Sequence, residues 1–186
     1  MNRFTPVLYL VAALTALAVI LRFFELPYPP APFLKYDASG VPLAVIAFMN
    51  LRAAYSVLPI YFTIPVALGT NSIGMAMKCL AELSTFTPLA LTFRKLHGKR
   101  SDATMIAVAV ATVSRVAIMS LANYLVTPHW LLFVKYPGIE SFEQAYEFTV
   151  SFVLPHSVIF NLTIALIVSP LSIRVYRVLT RTGILR

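Results

Sequence analysis

Lys78, Glu82 and Arg115 are ionisable residues set inside apolar runs, in a chain of which only 12% of residues are charged. A charge in such a run is expensive unless it pairs or faces a polar cavity, so each is either structural or functional. By helical rise from Gly69 and from Pro128, Glu82 and Arg115 fall near the middle of consecutive helices, which suits a structural ion pair. Lys78 lies about 12 Å in from the nearer end. It either pairs with Glu82 at i+4, the less favourable order for such a pair, or points its cation into an outward-facing pocket. Asn123 and Asn161 sit at a similar level. An amide offers donors and acceptors together, which suits the imide-like edge of a planar heterocycle. It equally suits a hydrogen bond between packed helices.

The elements that would position these residues are membrane spans. The chain has 186 residues, 59% of them hydrophobic, with mean hydropathy +0.82, well above the usual apolar share of a soluble domain. That length accommodates about six spans of roughly 20 residues and little else, so one domain, 1–186, is expected. The spans are drawn at 4–24, 40–51, 53–69, 71–93, 103–127 and 156–178. The N-terminal run resembles a signal peptide, with Arg3 ahead of it and Ala16-Leu17-Ala18 within it, but it is long enough to span and reads as an uncleaved first helix. Prolines at 59, 65, 88 and 170 would break soluble helices; in a bundle, neighbours can satisfy the freed carbonyls.

Two excursions interrupt the apolar runs. Residues 23–42, FFELPYPPAPFLKYDASGVP, hold five prolines with Glu25, Lys35 and Asp37 among aromatics. Residues 128–155 include IESFEQAYEFTVSF, which predicts a short interfacial helix, and Trp130 and Tyr136 suit an aromatic belt or direct ligand contact. Arg3, Arg52, Arg94, Lys95, Lys99, Arg100, Arg174, Arg177, Arg181 and Arg186 all fall on one side if both termini are cytoplasmic. The net charge of +8 is thus explained by topology, and no nucleic-acid partner is expected. The single cysteine, Cys79, excludes a disulfide within the chain. There is no nucleotide-binding P-loop, no H-E-x-x-H, no G-x-S-x-G, and no ligand spacing among His97, His129 and His156. Neither an enzyme activity nor a metal site is expected, and transport would need an external ATPase.

Three segments carry a family resemblance. FLKYDASGVPLAVIAF (33–48), SRVAIMSLANYLVTPHW (114–130) and FNLTIALIVS (160–169) resemble, in order, segments of the substrate-binding S components of energy-coupling factor (ECF) transporters. The similarity is greatest to the riboflavin-specific branch. From Gly74 through Ser84 to Pro88, span four keeps that branch's glycine, serine and proline spacing. The resemblance implies an all-α, multi-pass bundle of six transmembrane helices in a prokaryotic cell membrane. Such a protein binds a vitamin from outside, here riboflavin or a close flavin, carried as ligand and not as cofactor. It then docks on a transmembrane coupling subunit with two ATPases and topples to release its cargo inside. Lys78, Asn123 and Asn161 are the expected polar contacts, with Phe33, Tyr36 and Tyr124 packing on the ring; Lys35, Asp37 and Thr163 complete the set. Ala12 and Ala16 match the family's small-residue docking face on the first helix, and the proline-rich segment becomes part lid, part wall, its stiffness reducing the entropy lost on closure.

Three positions depart from that branch. Gly40 stands where a second aspartate is usual, Ile164 where a lysine is usual, and Lys78 where an asparagine is usual. Lys78 is expected to restore, from across the pocket, the cation missing at 164; otherwise the ligand is a different vitamin. From another class, a membrane scaffold or assembly protein would use the same bundle without transport, and an intramembrane enzyme would need a catalytic dyad.

Overall fold

The computed structural model describes residues 4–184; Arg3 and Arg186, counted in the charge asymmetry, lie outside the described residues. The architecture is all-helical apart from one short ribbon: α1 (Phe4–Leu21), β1 (Leu26–Pro27), β2 (Lys35–Tyr36), α2 (Gly40–Met49), α3 (Leu51–Ala67), α4 (Ser72–Leu96), α5 (Ala103–Phe133), α6 (Phe142–Phe148), a π-turn (Thr149–Val153) and α7 (Leu154–Arg181).

The central element is α2. Its sequence, GVPLAVIAFM, has no side chain able to hydrogen-bond, and every residue from Gly40 to Phe48 is buried. A helix apolar on all sides needs neighbours on all sides, and α1, α3, α4 and α7 supply them. Asn50 ends it. The Asn50 side chain accepts from the backbone N–H of Arg52 at 2.9 Å and of Ala53 at 3.3 Å, which starts α3 as an N-cap. Arg94 Nη2 donates to the carbonyls of Ala47 and Phe48 at 2.7 Å each, satisfying acceptors that the end of α2 leaves open.

The second excursion differs from expectation. Rather than ending at 127, α5 runs through Pro128 to Phe133, and Ser141 begins the next helix with a capping box completed by Gln144. That helix is not a separate interfacial segment. It passes through the π-turn into α7, giving one continuous helix, Phe142–Arg181. The π-turn inserts a wider turn without a break; Phe148 stacks on Phe152 with centroids 5.0 Å apart, and Phe152 meets a tilted His156 ring at 4.6 Å. The excursion therefore shrinks to a short link, and both helices gain length at the end where the cavity lies.

Residues 22–39 form a strap across that end. The β1–β2 ribbon pairs Leu26 with Tyr36 and Pro27 with Lys35, and its turn buries Tyr28 and Ala31. Aromatic rings hold the strap down. Tyr28 meets His156 and Phe160, Tyr36 lies 4.7 Å from Phe160, and Phe33 bridges Trp130 and Tyr136.

Candidate functional site

Beneath the strap, between α4, α5 and α7, lies a cavity of about 560 Å³, within the usual range for small-molecule sites. Each helix turns one face to it, set by i+4 spacing. On α4 these are Lys78 and Ala81, on α5 Arg115, Met119, Asn123 and Thr127, and on α7 Asn161 beside Phe160.

The polar side chains form one connected array. Lys78 Nζ lies 3.0 Å from Asp37 Oδ2 and 2.9 Å from Glu82 Oε1. Arg115 Nη1 lies 3.4 Å from the same Glu82 oxygen and donates to Thr85 Oγ1 at 2.9 Å and to the Ala81 carbonyl at 3.3 Å. Arg115 Nε donates to Asn161 Oδ1 at 3.0 Å. Asn161 Nδ2 donates to the Ser157 carbonyl at 2.9 Å and to Ser157 Oγ at 3.1 Å. Asn123 Nδ2 donates to Ser157 Oγ at 3.0 Å and to the Met119 carbonyl at 2.7 Å, and Thr127 donates to Asn123 Oδ1 at 3.0 Å. Two carboxylates thus oppose two cations. Buried charges need that balance together with hydrogen bonds to their remaining atoms.

Asp37 anchors the strap to this array. Its carboxylate accepts from the Ser39 backbone N–H at 2.9 Å and from the Ser39 hydroxyl, which also meets Tyr61 OH at 2.6 Å. Burial alone would raise the Asp37 pKa. The Lys78 ammonium and the Ser39 donors outweigh it and hold the carboxyl below the usual carboxylate value.

Gly40 explains how Glu82 fits. A Cβ at residue 40 would stand 2.2 Å from Glu82 Oε2 and 3.1 Å from Val168 Cγ1. The carboxylate of Glu82, arriving from α4, occupies the space that a side chain on α2 would fill. Lys78 finds its carboxylates on Asp37 and Glu82, and Gly40 leaves room for the second of them. Ile164 is buried in an apolar cluster with Tyr28, Val41, Phe160 and Val168.

Of the residues expected from sequence, Phe33, Lys35, Asp37, Lys78, Asn123 and Asn161 line the cavity. Glu82 and Arg115 stand together as a pair, and Arg115 also reaches the cavity wall. Tyr36 and Thr163 are joined to each other, hydroxyl to hydroxyl at 2.8 Å, behind Phe160 and outside the cavity lining. Tyr124 is turned away, half-exposed, with its hydroxyl 2.6 Å from that of Tyr146. Its position one residue after Asn123 rotates it about 100° around the helix, off the cavity face. Ala12 and Ala16 lie exposed on the outer face of α1. Sequence reasoning missed Thr85, Ser157 and Thr127 as partners of the array, although Ser157 and Thr127 each lie four residues from an asparagine. It also missed Arg22, whose side chain lines the cavity and pairs with Glu25.

No protein-family model matches the sequence, and no curated protein matches it. A solved structure does, described as "Structure and mechanism of the S component of a bacterial ECF transporter". The similarity covers 97% of this chain and 98% of that one, with a TM-score of 0.74 and 21% sequence identity. The fold of this chain is thus that of an ECF-transporter S component.

Proposed function

We propose that this protein is the vitamin-binding S component of an ECF-type importer, taking riboflavin or a close flavin from outside a prokaryotic cell. The carrying observation is the cavity of about 560 Å³, closed on one side by the strap and floored by Lys78, Arg115, Asn123 and Asn161. A flat, mostly apolar ligand would meet Phe33, Trp130, Phe160 and Met119 on its faces and the buried polar groups at its edge. It would be transported unchanged, without enzymatic conversion.

The outer surface supports a membrane setting. Leu8, Tyr9, Met105, Val113, Leu121 and Ile167 are among many large apolar side chains exposed around the bundle, more than a water-facing surface usually carries. In this reading the helices span the bilayer as six segments with both termini cytoplasmic. The cavity end then faces outside, and Arg94, Lys95, Lys99 and Arg100 face the cytoplasm. The exposed Ala12–Ala16 face of α1 is the docking surface for a coupling subunit carrying two ATPases, since small residues allow close helix approach.

A different vitamin in the same fold is the second reading, and a specific observation favours it. Ile164 places apolar surface where the riboflavin branch has lysine, while Lys78 is already held by two carboxylates. Absorbance and fluorescence of the detergent-purified protein, before and after acid release, decide between them. Stoichiometric flavin supports the first reading; a colourless protein that fails to quench added riboflavin rejects it. Lys78→Met is the variant to measure next, and unchanged affinity would remove Lys78 from the ligand contacts.

A further inference from the structure

The two asparagines on the cavity floor have fixed orientations. Arg115 Nε can only donate, so the Asn161 atom facing it is the oxygen; the Met119 carbonyl can only accept, so the Asn123 atom facing it is the nitrogen. Both N–H groups of Asn161 are directed to Ser157, and both of Asn123 go to Met119 and Ser157. Neither amide has a donor left. Each oxygen has accepted one hydrogen bond and, with two lone pairs, has capacity for one more.

The open donor belongs to Arg115. Its Nε and Nη1 are engaged, whereas Nη2 meets no acceptor among the described residues. Arg115 lines the cavity but is only 1% exposed, and its Nη2 is not among the fully buried side-chain atoms without partners, which are on Arg22, Thr112, Trp130 and Ser169. In a guanidinium, Nε–H and one N–H of Nη2 point side by side along one edge. Arg100 in this chain uses that edge on both oxygens of Asp102, at 2.8 Å each. In Arg115 the Nε half of the edge holds Asn161 Oδ1, so the Nη2 half lies beside that oxygen.

We propose that Arg115 Nη2 and Asn161 Oδ1 together read a cis-lactam edge on the ligand, the guanidinium donating to a ring carbonyl and the amide oxygen accepting from the adjacent ring N–H. A ring with a carbonyl next to an N–H, such as a cyclic amide, imide or urea, presents an acceptor and a donor side by side. Arg115 is then a ligand contact as well as the partner of Glu82, and Glu82 is the positioning residue that keeps the fork in place. The inference rests on the small-molecule-capture reading for the existence of a ligand, but not on the ligand being a flavin.

The test is a binding panel on the full chain in detergent: riboflavin and biotin, which carry such an edge, and thiamine, which does not. The tighter edge-bearing ring is then compared with its N-methyl form, which removes the donor, and its thiocarbonyl form, which weakens the acceptor. Each change is expected to weaken binding by about 10- to 100-fold. In Arg115→Lys, which keeps a charge beside Glu82 but lacks the second nitrogen, the oxygen and thiocarbonyl ligands are expected to bind alike. If that variant does not fold, the two analogues on the unmodified protein still decide. Binding of biotin without riboflavin rejects the flavin reading and supports this one. Undiminished binding of either analogue, preference for thiamine, or binding of neither edge-bearing ring overturns it.

Discussion

At the end of the bundle away from the cavity, α2, α4 and α7 meet through Ile46, Phe48, Phe86, Leu89, Phe93 and Ile173, all buried in one apolar cluster. At the cavity end, the same α4 and α7 are linked through Arg115 of α5, which meets Glu82 on one and Asn161 on the other, beside open space. The helices are shared, but their side chains do opposite work. Apolar groups gain by filling every gap, because a void forfeits dispersion contacts. Polar groups gain by meeting one another at fixed distances and angles, and an array satisfied internally can hold walls apart around a cavity. A cavity with a polar wall is therefore built here by changing chemistry along a helix, not by adding an element.

The largest expected effect comes from breaking the array. Glu82→Ala leaves Lys78 and Arg115 without their shared carboxylate and is expected to cost about 3–5 kcal/mol, read by denaturant unfolding in detergent. A loss below about 1 kcal/mol would show that the array is dispensable to the fold. At the opposite end, Leu89→Ala is expected to cost about 2–5 kcal/mol while ligand affinity, measured at a temperature where the variant is folded, stays unchanged. If affinity falls with stability, the two ends are not separable. Gly40→Ala sharpens the boundary between them. Its Cβ would stand 2.2 Å from the Glu82 carboxylate, an overpacking expected to cost about 1–3 kcal/mol. In a Glu82→Ala background the same change is expected to cost much less, and equal costs in both backgrounds would disprove the contact.

The smallest effect is a pH dependence. Because Asp37 has a lowered pKa in the folded protein, its contribution to stability is fully present above the ordinary carboxylate value of about 3.9. It is lost as pH falls through the folded pKa. Unfolding curves of the wild type and Asp37→Asn are expected to converge in that acidic window and to separate above it. Parallel curves throughout would detach Asp37 from the Lys78 pair.

Much of this architecture follows from local sequence. The apolar runs locate the helices, whereas the breaks at Asn50 and Asn71, whose side chains accept from the next turn's N–H groups, are seen only in the structure. The cost of isolated charge in an apolar run singles out Lys78, Glu82 and Arg115 before any contact is known. What no local pattern carried was partner choice. Ionic attraction is nearly non-directional, so the sequence left Lys78 with two options, and the packing of α4 against α2 and the strap gave it Asp37 and Glu82 at once. Tyr124 shows the same limit from another side, since which face of α5 meets the cavity is decided by how α7 packs on it. The continuation of α5 through Pro128 and of α6 through the π-turn to Pro155 was likewise hidden, because proline opposes a helix locally and only tertiary contacts can outweigh it. Sequence by itself determined an apolar helical bundle, its buried charges and its stiff strap. The tertiary structure alone decided which of those charges neutralise one another and which donor is left facing the cavity, because hydrogen-bond capacity is a property of the assembled set and not of any single residue.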